Sequence, residues 1–555
     1  MARSFPAINF RPPSSHCLIL FLTMTRLFWS SCGSSHTPPA SNPGTPAPTS
    51  VTDVVTYHND VARTGQNLQE TTLTTSNVNS SSFGKLFTAT VDGVIDAEPL
   101  YLSRVSLPSQ GTHNVLYVVT ENDSVYAFDA DSGTQLWKVS LLKSGETPSG
   151  DFGCGQISPQ IGITSTPVID RHSGPNGTIY VVAMSQTSST YFQRIHALDI
   201  TTGQEQFGGP FAVQASYPGQ GDNSQNGSVI FDPKQYAERQ GLLLLNQVVY
   251  TAWTSHCDSR PYTGWLIGYN ENTLAQTSVL NLTPNGEEGS IWQSGAGMAS
   301  DGSNLYFLDA NGTFDTTLNG NGFPQNGDFG QAFLKVSTNS NHLAVADYFE
   351  MSNGPTESAD DTDFGSGGAL LLPAMQDSGG TTRNLAVGAG KDSNIYIVDR
   401  SNMGKFHASG NQIYQEIDGA LSGGMWAMPA FFGNSLYFGS VGNNLLQFNF
   451  SQAKLSTSPA SKSSNSFQYP GTTPSISANT STNAIVWAIE HSDPNDVLHA
   501  YDATNLAQEL YNSSQASGQR DQFGQASHFG TPMIVNGKVY VGTTTNVTAF
   551  GLLAK

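Results

Sequence analysis

Residues 115–137, VLYVVTENDSVYAFDADSGTQLW, carry the pattern that decides the fold. Two short apolar runs flank a polar turn, and an Asp, a Gly and a Trp follow the second run. Alternating apolar residues in short runs, with Asn, Asp and Gly between them, are typical of antiparallel β-strands. The stretch therefore predicts a β-hairpin that continues through a tight turn into a further strand.

The same pattern occurs eight times along the chain. The copies begin at Val115, Thr178, Val248, Asn304, Leu385, Ser435, Ile485 and Lys538. This spacing suits one four-stranded antiparallel sheet per copy, and eight such sheets arranged radially bury both faces of each sheet and remove the exposed edges. We therefore predict an all-β fold, an eight-bladed β-propeller over residues 52–555, in which the strand around residues 54–57 completes the last blade.

The composition favours the same fold class. Charged residues make up only 12% of the 555 residues, so the surface consists of Ser, Thr, Asn and Gly instead of the Lys, Glu and Arg of exposed helices. Lys+Arg 23 against Asp+Glu 43 gives a net charge of −20. These values argue against a coiled coil, a helical solenoid and a nucleic-acid partner bound through its phosphates.

Residues 1–31 have the features of a signal peptide. The apolar run at 17–24, CLILFLTM, follows Arg3 and Arg11 and is too short to span a bilayer. Cys32 follows a small residue, and a flexible Pro/Ser/Thr-rich linker occupies residues 32–51. Either Cys32 carries the lipid of a bacterial lipoprotein, or the segment is an ordinary cleaved signal. Both interpretations predict a protein secreted across the inner membrane, which is periplasmic, tethered to the outer membrane or extracellular.

Cys154 and Cys257 remain after such processing. They can form one disulfide in an oxidising compartment, or be two buried thiols, and their spacing does not decide between the two. No CxxCH motif occurs, so the sequence predicts no covalent c-type haem.

Residues 127–137, AFDADSGTQLW, resemble the A-x-D-x-x-x-G-x-x-x-W repeat of the pyrroloquinoline quinone (PQQ) propellers. Residues 57–93, which begin YHNDVARTG, are similar to the opening segment of that family. The resemblance covers most of the chain from about residue 52 and looks closest to the quinoprotein alcohol dehydrogenases. It implies a planar quinone in a central funnel, between a Trp and a disulfide of adjacent cysteines. It also implies a Ca²⁺ or lanthanide ion held by Glu, Asn and sometimes Asp.

Trp292 resembles the family's stacking Trp, and Asn311 follows it at nearly the interval of the family's metal-ligating Asn. A flat indole suits the face of a flat quinone. The alternative is that Trp292 packs between blades and that Asn311-Gly312 is an ordinary turn.

Asp361 and Asp363, in ESADDTDFGSGG, resemble an acidic stretch of these enzymes. There the first acid takes the proton of the substrate hydroxyl, and the second, where present, binds the metal. Close carboxylates are repulsive without a cation. The offset to Gly365 leaves open which Asp is the base, and a solvated acidic loop is the alternative.

Lys391 lies at the position of the family's Arg or Lys that points to the quinone carbonyl. A fixed cation there would stabilise the negative charge that develops as the quinone is reduced, whereas the alternative is an exposed turn lysine. Asp96, in GVIDAEPLY, falls near an acid that binds the cofactor in the family.

Two departures stand against the resemblance. Cys154 has glycine neighbours, so the adjacent-cysteine pair is missing, and Thr187 and Ser188 occur where the family has a metal-ligating Glu. The loss of a charged ligand should weaken binding of a divalent ion. His256-Cys257-Asp258 is contiguous, and its side chains would alternate between faces if the strand continued through it, which argues against a catalytic triad.

Two functions follow. The first is a cell-envelope quinoprotein dehydrogenase that oxidises an alcohol or sugar hydroxyl with PQQ and Ca²⁺ and passes electrons to an external acceptor. The second is a non-catalytic, tethered propeller that binds a protein or glycan.

Overall fold

The computed structural model describes residues 52–554. The predicted signal segment, Cys32 and the predicted linker therefore lie outside the described residues. The described part is almost entirely strands and turns, which confirms the all-β class. Its helical segments are the α-helix Gly354–Ala359 and the 3₁₀ turns Gln293–Gly295, Asn339–Asn341, Phe364–Ser366 and Ser517–Gln519. None of the helices in this range is long and apolar enough to cross a membrane.

Eight sheets of four to six strands follow one another along the described chain, and we number them 1 to 8. Sheet 1 contains Leu100–Leu107, Gly111–Thr120, Ser124–Asp129 and Gln135–Ser140. Sheet 2 contains Thr147–Gly150, Gln160–Ile161, Val168–Asp170, Thr178–Gln186, Tyr191–Asp199 and Phe211–Ala212. Sheet 3 contains Tyr236–Glu238, Leu243–Leu245, Val248–Ser255, Trp265–Asn270 and Gln276–Asn281. Sheet 4 contains Ala299–Ser300, Asn304–Leu308, Phe333–Ser337, Ala344–Glu350 and Lys405–Phe406.

The second half of the chain forms the other four. Sheet 5 contains Leu370–Leu371, Leu385–Gly388, Ile395–Asp399 and Gln415–Ile417. Sheet 6 contains Ala430–Phe432, Ser435–Phe438, Asn443–Ser451, Lys454–Leu455 and Ser461–Phe467. Sheet 7 contains Gln66–Asn67, Ser475–Asn479, Thr482–Glu490, Val497–Asp502 and Glu509–Asn512. Sheet 8 contains Phe83–Thr90, Met533–Val535, Lys538–Gly542 and Asn546–Leu552.

Two small sheets lie in the connections. They are Ser216–Pro218 with Ser224–Gln225 and Ser228–Ile230, and Met375–Gln376 with Thr382–Arg383.

Each predicted hairpin forms the central strands of a sheet. In sheet 1, Gly111–Thr120 pairs antiparallel with Ser124–Asp129, and residues 115–120 are all buried. Such burial is expected when both faces of a sheet pack against neighbouring sheets, and one apolar cluster indeed combines residues of sheets 8, 1 and 2.

The tyrosine that recurs near the start of the repeats links consecutive sheets through its hydroxyl. The donor–acceptor pairs are Tyr117–Ile200 (3.0 Å), Tyr180–Glu271 (2.9 Å), Tyr437–Ala503 (2.7 Å) and Tyr540–Ala130 (2.8 Å), each to a backbone oxygen. The last pair joins sheet 8 to sheet 1. In these four repeats the tyrosine therefore joins one sheet to the next.

Residues 54–67 contact the eight sheets one after another. Their hydrogen-bond partners are Tyr101, Ile169, Leu242, Ser300, Leu371, Phe431, Ile476 and Ile534, in or beside sheets 1 to 8 respectively. The expectation that residues 54–57 complete the last blade is wrong, because Val54 pairs with Tyr101 of sheet 1. Phe83–Thr90 instead pairs antiparallel with Asn546–Leu552 and completes sheet 8.

Candidate functional site

Three of the residues singled out in the sequence line one cavity of about 200 Å³, which we call the site cavity. They are Trp292, Asp361 and Lys391. Trp292 precedes the first strand of sheet 4, Asp361 precedes the first strand of sheet 5, and Lys391 follows the second strand of sheet 5. The loops of two consecutive sheets therefore bring these residues together.

Asp363 lies behind the cavity wall and connects two of its residues. Trp292 donates its indole Nε1–H to Asp363 Oδ2 at 2.8 Å, and Lys391 Nζ lies 3.8 Å from the same oxygen. Asp363 is only 3% exposed. The indole and the ammonium are therefore positioned by one buried carboxylate.

Asp361 lies on the cavity side, and its side chain is 69% exposed. Lys391 Nζ is 2.6 Å from Asp361 Oδ1, and Asn311 Nδ2 donates to the same oxygen at 2.8 Å. Asp361 has a backbone φ of 55°, in the left-handed region. Aspartate tolerates this conformation better than most residues, and such outliers cluster at functional sites.

The charges of these residues depend on one another. Burial raises the pKa of Asp363 to about 7, although Lys391 lowers it. Burial by itself would lower the pKa of Lys391, but the carboxylates of Asp363 and Asp361 outweigh it and raise that pKa. Lys391 is therefore a cation throughout the physiological range and faces two acids.

Cys154 and Cys257 form a disulfide, with their Cα atoms 5.6 Å apart, and both line the site cavity. Of the two alternatives that their spacing left open, a disulfide or two buried thiols, the structure has the disulfide. Cys154 lies in a loop of sheet 2, and Cys257 follows the strand Val248–Ser255 of sheet 3. The adjacent-cysteine pair of the family is absent, but a disulfide between distant cysteines occupies the wall of the same cavity as Trp292.

The strand of sheet 3 ends at Ser255, so the expected alternation of faces over residues 256–258 is wrong. The chain turns there, with φ of 48° at Cys257 and 52° at Asp258, and His256, Cys257 and Asp258 all line the site cavity. Burial lowers the pKa of His256 to about 4. His256 is therefore neutral at pH 7, and Asp258 is a third acid beside Lys391 that the sequence analysis did not select.

Arg239 is the most informative residue that sequence reasoning missed. It lines the site cavity and is 6% exposed, yet its guanidinium forms no hydrogen bond or ion pair with any described residue. Its Cζ lies 5.6 Å from the ring centroid of Trp292 and 4.2 Å from that of Phe529. Burial lowers the pKa of Arg239, although the group remains charged because the unperturbed value is so high. A buried cation without a hydrogen-bonded partner can pair with an anion that enters the cavity.

Several oxygen atoms near the cavity also lack partners within the described range. They are Asn311 Oδ1, Asp363 Oδ1 and both carboxylate oxygens of Asp309. Burial raises the pKa of Asp309 strongly, and the nearby charge of Asp363 adds to it. Hard oxygen donors of this kind fit a Ca²⁺ ion. In residues 52–554 no group of three or more His, Cys, Asp and Glu side chains is placed to hold a metal, so a cation here would also depend on the amide of Asn311.

Asp96 is not brought into the site cavity. It lines an adjoining, more polar cavity of about 360 Å³, together with His491, Asp496, Ser527 and others, which we call the side cavity. Thr187 and Ser188 line neither cavity. Nothing in the described structure restores the charge of the missing metal-ligating Glu at that position.

One signal in the sequence pointed to Arg239. The chain has only 23 Lys and Arg residues, and Arg239 lies two residues before the start of the run GLLLL at Gly241. Arginine is rarely buried without a partner, so an arginine beside a buried strand indicates a specific role. Trp426 and Tyr469, which also line the cavity, had no comparable signal.

Part of the chain matches a known family model. Residues 121–218 match the family model PQQ_2, described as outer membrane protein assembly factor BamB. No curated protein sequence matches the chain.

Solved structures extend the likeness to nearly the whole chain. Quinohemoprotein alcohol dehydrogenase from Comamonas testosteroni has a TM-score of 0.61 at 14% identity, covering 90% of this chain and 80% of its own. Quinohemoprotein alcohol dehydrogenase ADHIIG from Pseudomonas putida has a TM-score of 0.60 at 13% identity, covering 91% and 81%. A europium-containing methanol dehydrogenase has 0.56 at 11% identity, covering 90% and 98%. At these identities the likeness shows the fold. Residues 121–218 therefore match a PQQ-repeat model, and the chain shares the β-propeller fold of these dehydrogenases over most of its length.

Proposed function

We propose that this chain is a quinoprotein-type dehydrogenase that oxidises a hydroxyl group with PQQ. The observation that carries the proposal is the convergence on one cavity of a Trp face, an unpaired buried Arg239 and a Lys391–Asp361 ion pair. A packing role for Trp292 or a solvated loop at Asp361 requires no such convergence.

The chemistry of PQQ fits this cavity. It is planar and carries carboxylates, so its ring would lie against Trp292, between that indole and the Cys154–Cys257 disulfide, while Arg239 would pair with a carboxylate. Pairing would relieve the cost of an unpaired buried guanidinium. When bound, PQQ supplies a two-electron acceptor for the hydride released by the carbinol carbon.

We assign the base to Asp361 because it lies on the cavity side, where a substrate hydroxyl can reach it. It takes the hydroxyl proton as the carbinol carbon loses hydride, which leaves an aldehyde or ketone, and its exposure allows the proton to pass to solvent. Lys391 orients Asp361 and places a positive charge at the reacting centre. Asp363 is a positioning residue for Trp292 and Lys391 and, with Asn311, a candidate Ca²⁺ ligand.

The proposal also includes the number of blades and the location of the protein in the cell. We infer eight blades, one per large sheet, since the Tyr540–Ala130 hydrogen bond links sheet 8 to sheet 1. We also propose an envelope location with an external electron acceptor, either with a lipid on Cys32 or after ordinary signal cleavage. The Cys154–Cys257 disulfide is consistent with an oxidising compartment.

A PQQ titration of the purified chain, with and without Ca²⁺, tests the cofactor through quinone absorbance and melting temperature. In the loaded protein, Asp361→Asn should lower kcat by about 10²–10⁴-fold while PQQ still binds, and Asp360→Asn, an exposed neighbour, should change neither. If Asp363→Asn abolished turnover and Asp361→Asn retained it, Asp363 and not Asp361 would be the base. No PQQ binding at about 100 μM, some hundredfold above a micromolar Kd, would end the proposal.

A second candidate is a non-catalytic propeller that binds a protein or glycan. It is favoured by the match of residues 121–218 to a family model described as an outer membrane assembly factor. Failure of the PQQ titration, with retained folding, would leave this candidate.

A further inference from the structure

The side cavity adjoins the site cavity and shares Gln156 and Ile157 with it. Tyr469 lies at the boundary, where its hydroxyl donates to Gln156 Oε1 at 3.1 Å. The Tyr469 ring packs edge-on against Trp426 of the site cavity and against His528 of the side cavity, with centroids 6.0 Å and 6.3 Å apart. The Tyr469–Gln156 contact therefore lies at the boundary between the two spaces, and Tyr469 is 42% exposed.

The side cavity presents fixed hydrogen-bonding groups. His491 Nδ1 lies 2.9 Å from Asp496 Oδ2, and Asp496 also accepts the backbone N–H groups of Ser492 and Ala526. This network holds the imidazole in place and leaves Nε2 for a ligand. Ser527 also lines the cavity and is 5% exposed, and its Oγ has no hydrogen-bond partner in the described chain. A buried hydroxyl without a partner is costly unless a ligand or water satisfies it.

The charge of the side cavity is negative. Asp96, Asp493 and Asp496 line it, and no Lys or Arg does. Burial, and then the neighbouring Asp96, raise the pKa of Glu121 well above its usual value. Carboxylates, imidazoles and hydroxyls suit neighbouring hydroxyl groups, which donate and accept at once, whereas the net negative charge disfavours an anionic ligand.

We propose that the side cavity binds the polyhydroxylated part of a neutral polyol or sugar whose terminal hydroxyl enters the site cavity past Tyr469. The unpartnered Ser527 Oγ and the fixed His491 Nε2 carry the assignment, together with the shared wall of the two cavities. The proposal rests on the proposed function for the oxidation step, but binding in the side cavity does not require it. The side cavity should bind a polyol more tightly than a simple alcohol of equal length and more tightly than a sugar acid.

The first arm of the test measures binding by calorimetry on the purified full chain, with sorbitol, 1-hexanol and gluconate as probes of equal carbon number. Sorbitol should bind at least about tenfold more tightly than the other two, the value of one hydrogen bond to a charged group. The double variant His491→Gln/Ser527→Ala, which removes the two groups that carry the assignment, should weaken sorbitol binding by about tenfold. Asp418→Asn, an exposed acid that lines neither cavity, should leave it unchanged.

The second arm measures turnover in the PQQ- and Ca²⁺-loaded protein with an artificial acceptor. The ratio of kcat/KM for sorbitol to that for 1-hexanol should fall about tenfold in the double variant and stay constant in Asp418→Asn. Absence of sorbitol binding, or binding that the double variant does not weaken, would overturn the side-cavity proposal. Sorbitol binding that the double variant weakens, with no alcohol oxidised by wild type, would support the side cavity and refute the dehydrogenase.

Discussion

Arg63 and Arg239 are both buried guanidinium groups, yet only Arg63 has partners within the protein. Arg63 is 0% exposed and donates to Met298 O at 2.8 Å, Thr56 Oγ1 at 2.7 Å and Tyr57 O at 2.7 Å. Arg239 is 6% exposed and has no hydrogen bond or ion pair with the described residues. The first joins the segment 54–67 to the sheets, and the second faces a cavity.

The presence or absence of hydrogen-bond partners distinguishes an arginine that stabilises the fold from one that is available to bind a ligand. Burial of an ion costs several kcal/mol unless hydrogen bonds or an opposite charge compensate for it. Arg63 receives this compensation from backbone and side-chain oxygens at hydrogen-bond distance. Arg239 has only its contacts with the rings of Trp292 and Phe529 and the more distant charge of Asp96, so a hydrogen-bonded partner would have to enter the cavity. The two arginines should therefore respond in opposite ways to the same substitution.

Arg63→Met gives the largest expected effect. It removes the donor that four buried oxygens use, those of Met298, Thr56, Tyr57 and Leu242. The free energy of unfolding should therefore fall by about 3–5 kcal/mol. Urea denaturation measures this, with Lys143→Met, at an exposed position, as the control. A loss as small as that of the control would mean that Arg63 contributes little to stability.

Removal of the disulfide should have the next largest effect. Cys154 and Cys257 are 103 residues apart in sequence, so Cys154→Ser/Cys257→Ser should destabilise the protein by about 2–4 kcal/mol. PQQ binding should weaken as well, because the bridge forms part of the cavity wall. Dithiothreitol should shift the unfolding midpoint of wild type and leave that of the double variant unchanged. An unchanged wild-type midpoint would contradict a stabilising bridge.

Arg239→Met should lower affinity and spare stability. It removes a group that makes no hydrogen bond in the described chain, so the unfolding free energy should stay within about 1 kcal/mol of wild type or rise. PQQ should bind about 10–100-fold more weakly, since a charge-assisted hydrogen bond is lost. Arg239→Lys keeps the charge and should recover part of the affinity. If Arg239→Met destabilised the protein as much as Arg63→Met, Arg239 would also stabilise the fold, and the proposed difference between the two arginines would be wrong.

The fold was predictable because its pairing is mostly local. Gly111–Thr120 pairs with Ser124–Asp129 across an adjacent turn, and alternation plus turn residues are sufficient to predict such hairpins. The pairing of Phe83–Thr90 with Asn546–Leu552 joins strands from opposite ends of the described chain. Alternation does not show which N-terminal strand reaches the last sheet, so the prediction for residues 54–57 was wrong.

The site was predictable only in part. Trp292, Asp361 and Lys391 occupy loop positions that a known repeat pattern marks, and the structure brings them together. The Arg239 side chain is distinguished by the absence of a partner, which is a property of the packed structure and not of the sequence. The disulfide likewise depends on loops of two different sheets.

Glu98→Gln gives the most discriminating effect, because its size depends on pH and it tests what surrounds Arg63. Glu98 is 3% exposed and accepts the backbone N–H of His58 at 2.7 Å. Burial raises the pKa of Glu98 to about 8, although His58 and Arg63 lower it. The stability that neutral Glu98 provides is complete below its unfolded pKa of about 4.5 and is lost as the pH rises through about 8.

Glu98→Gln keeps the neutral form at every pH. Its stability relative to wild type should therefore increase between pH 5 and pH 8, by up to about 1.4 kcal/mol per pH unit, and level off above this range. Urea denaturation across pH 5 to 9 measures this difference, and Glu287→Gln, at a side chain 46% exposed, should show no such trend. A difference that does not change with pH would mean that Glu98 is ionised throughout. Arg63 would then lie near the negative charge of Glu98. Arg63 and Arg239 would therefore differ in their nearby charges as well as in their hydrogen bonds.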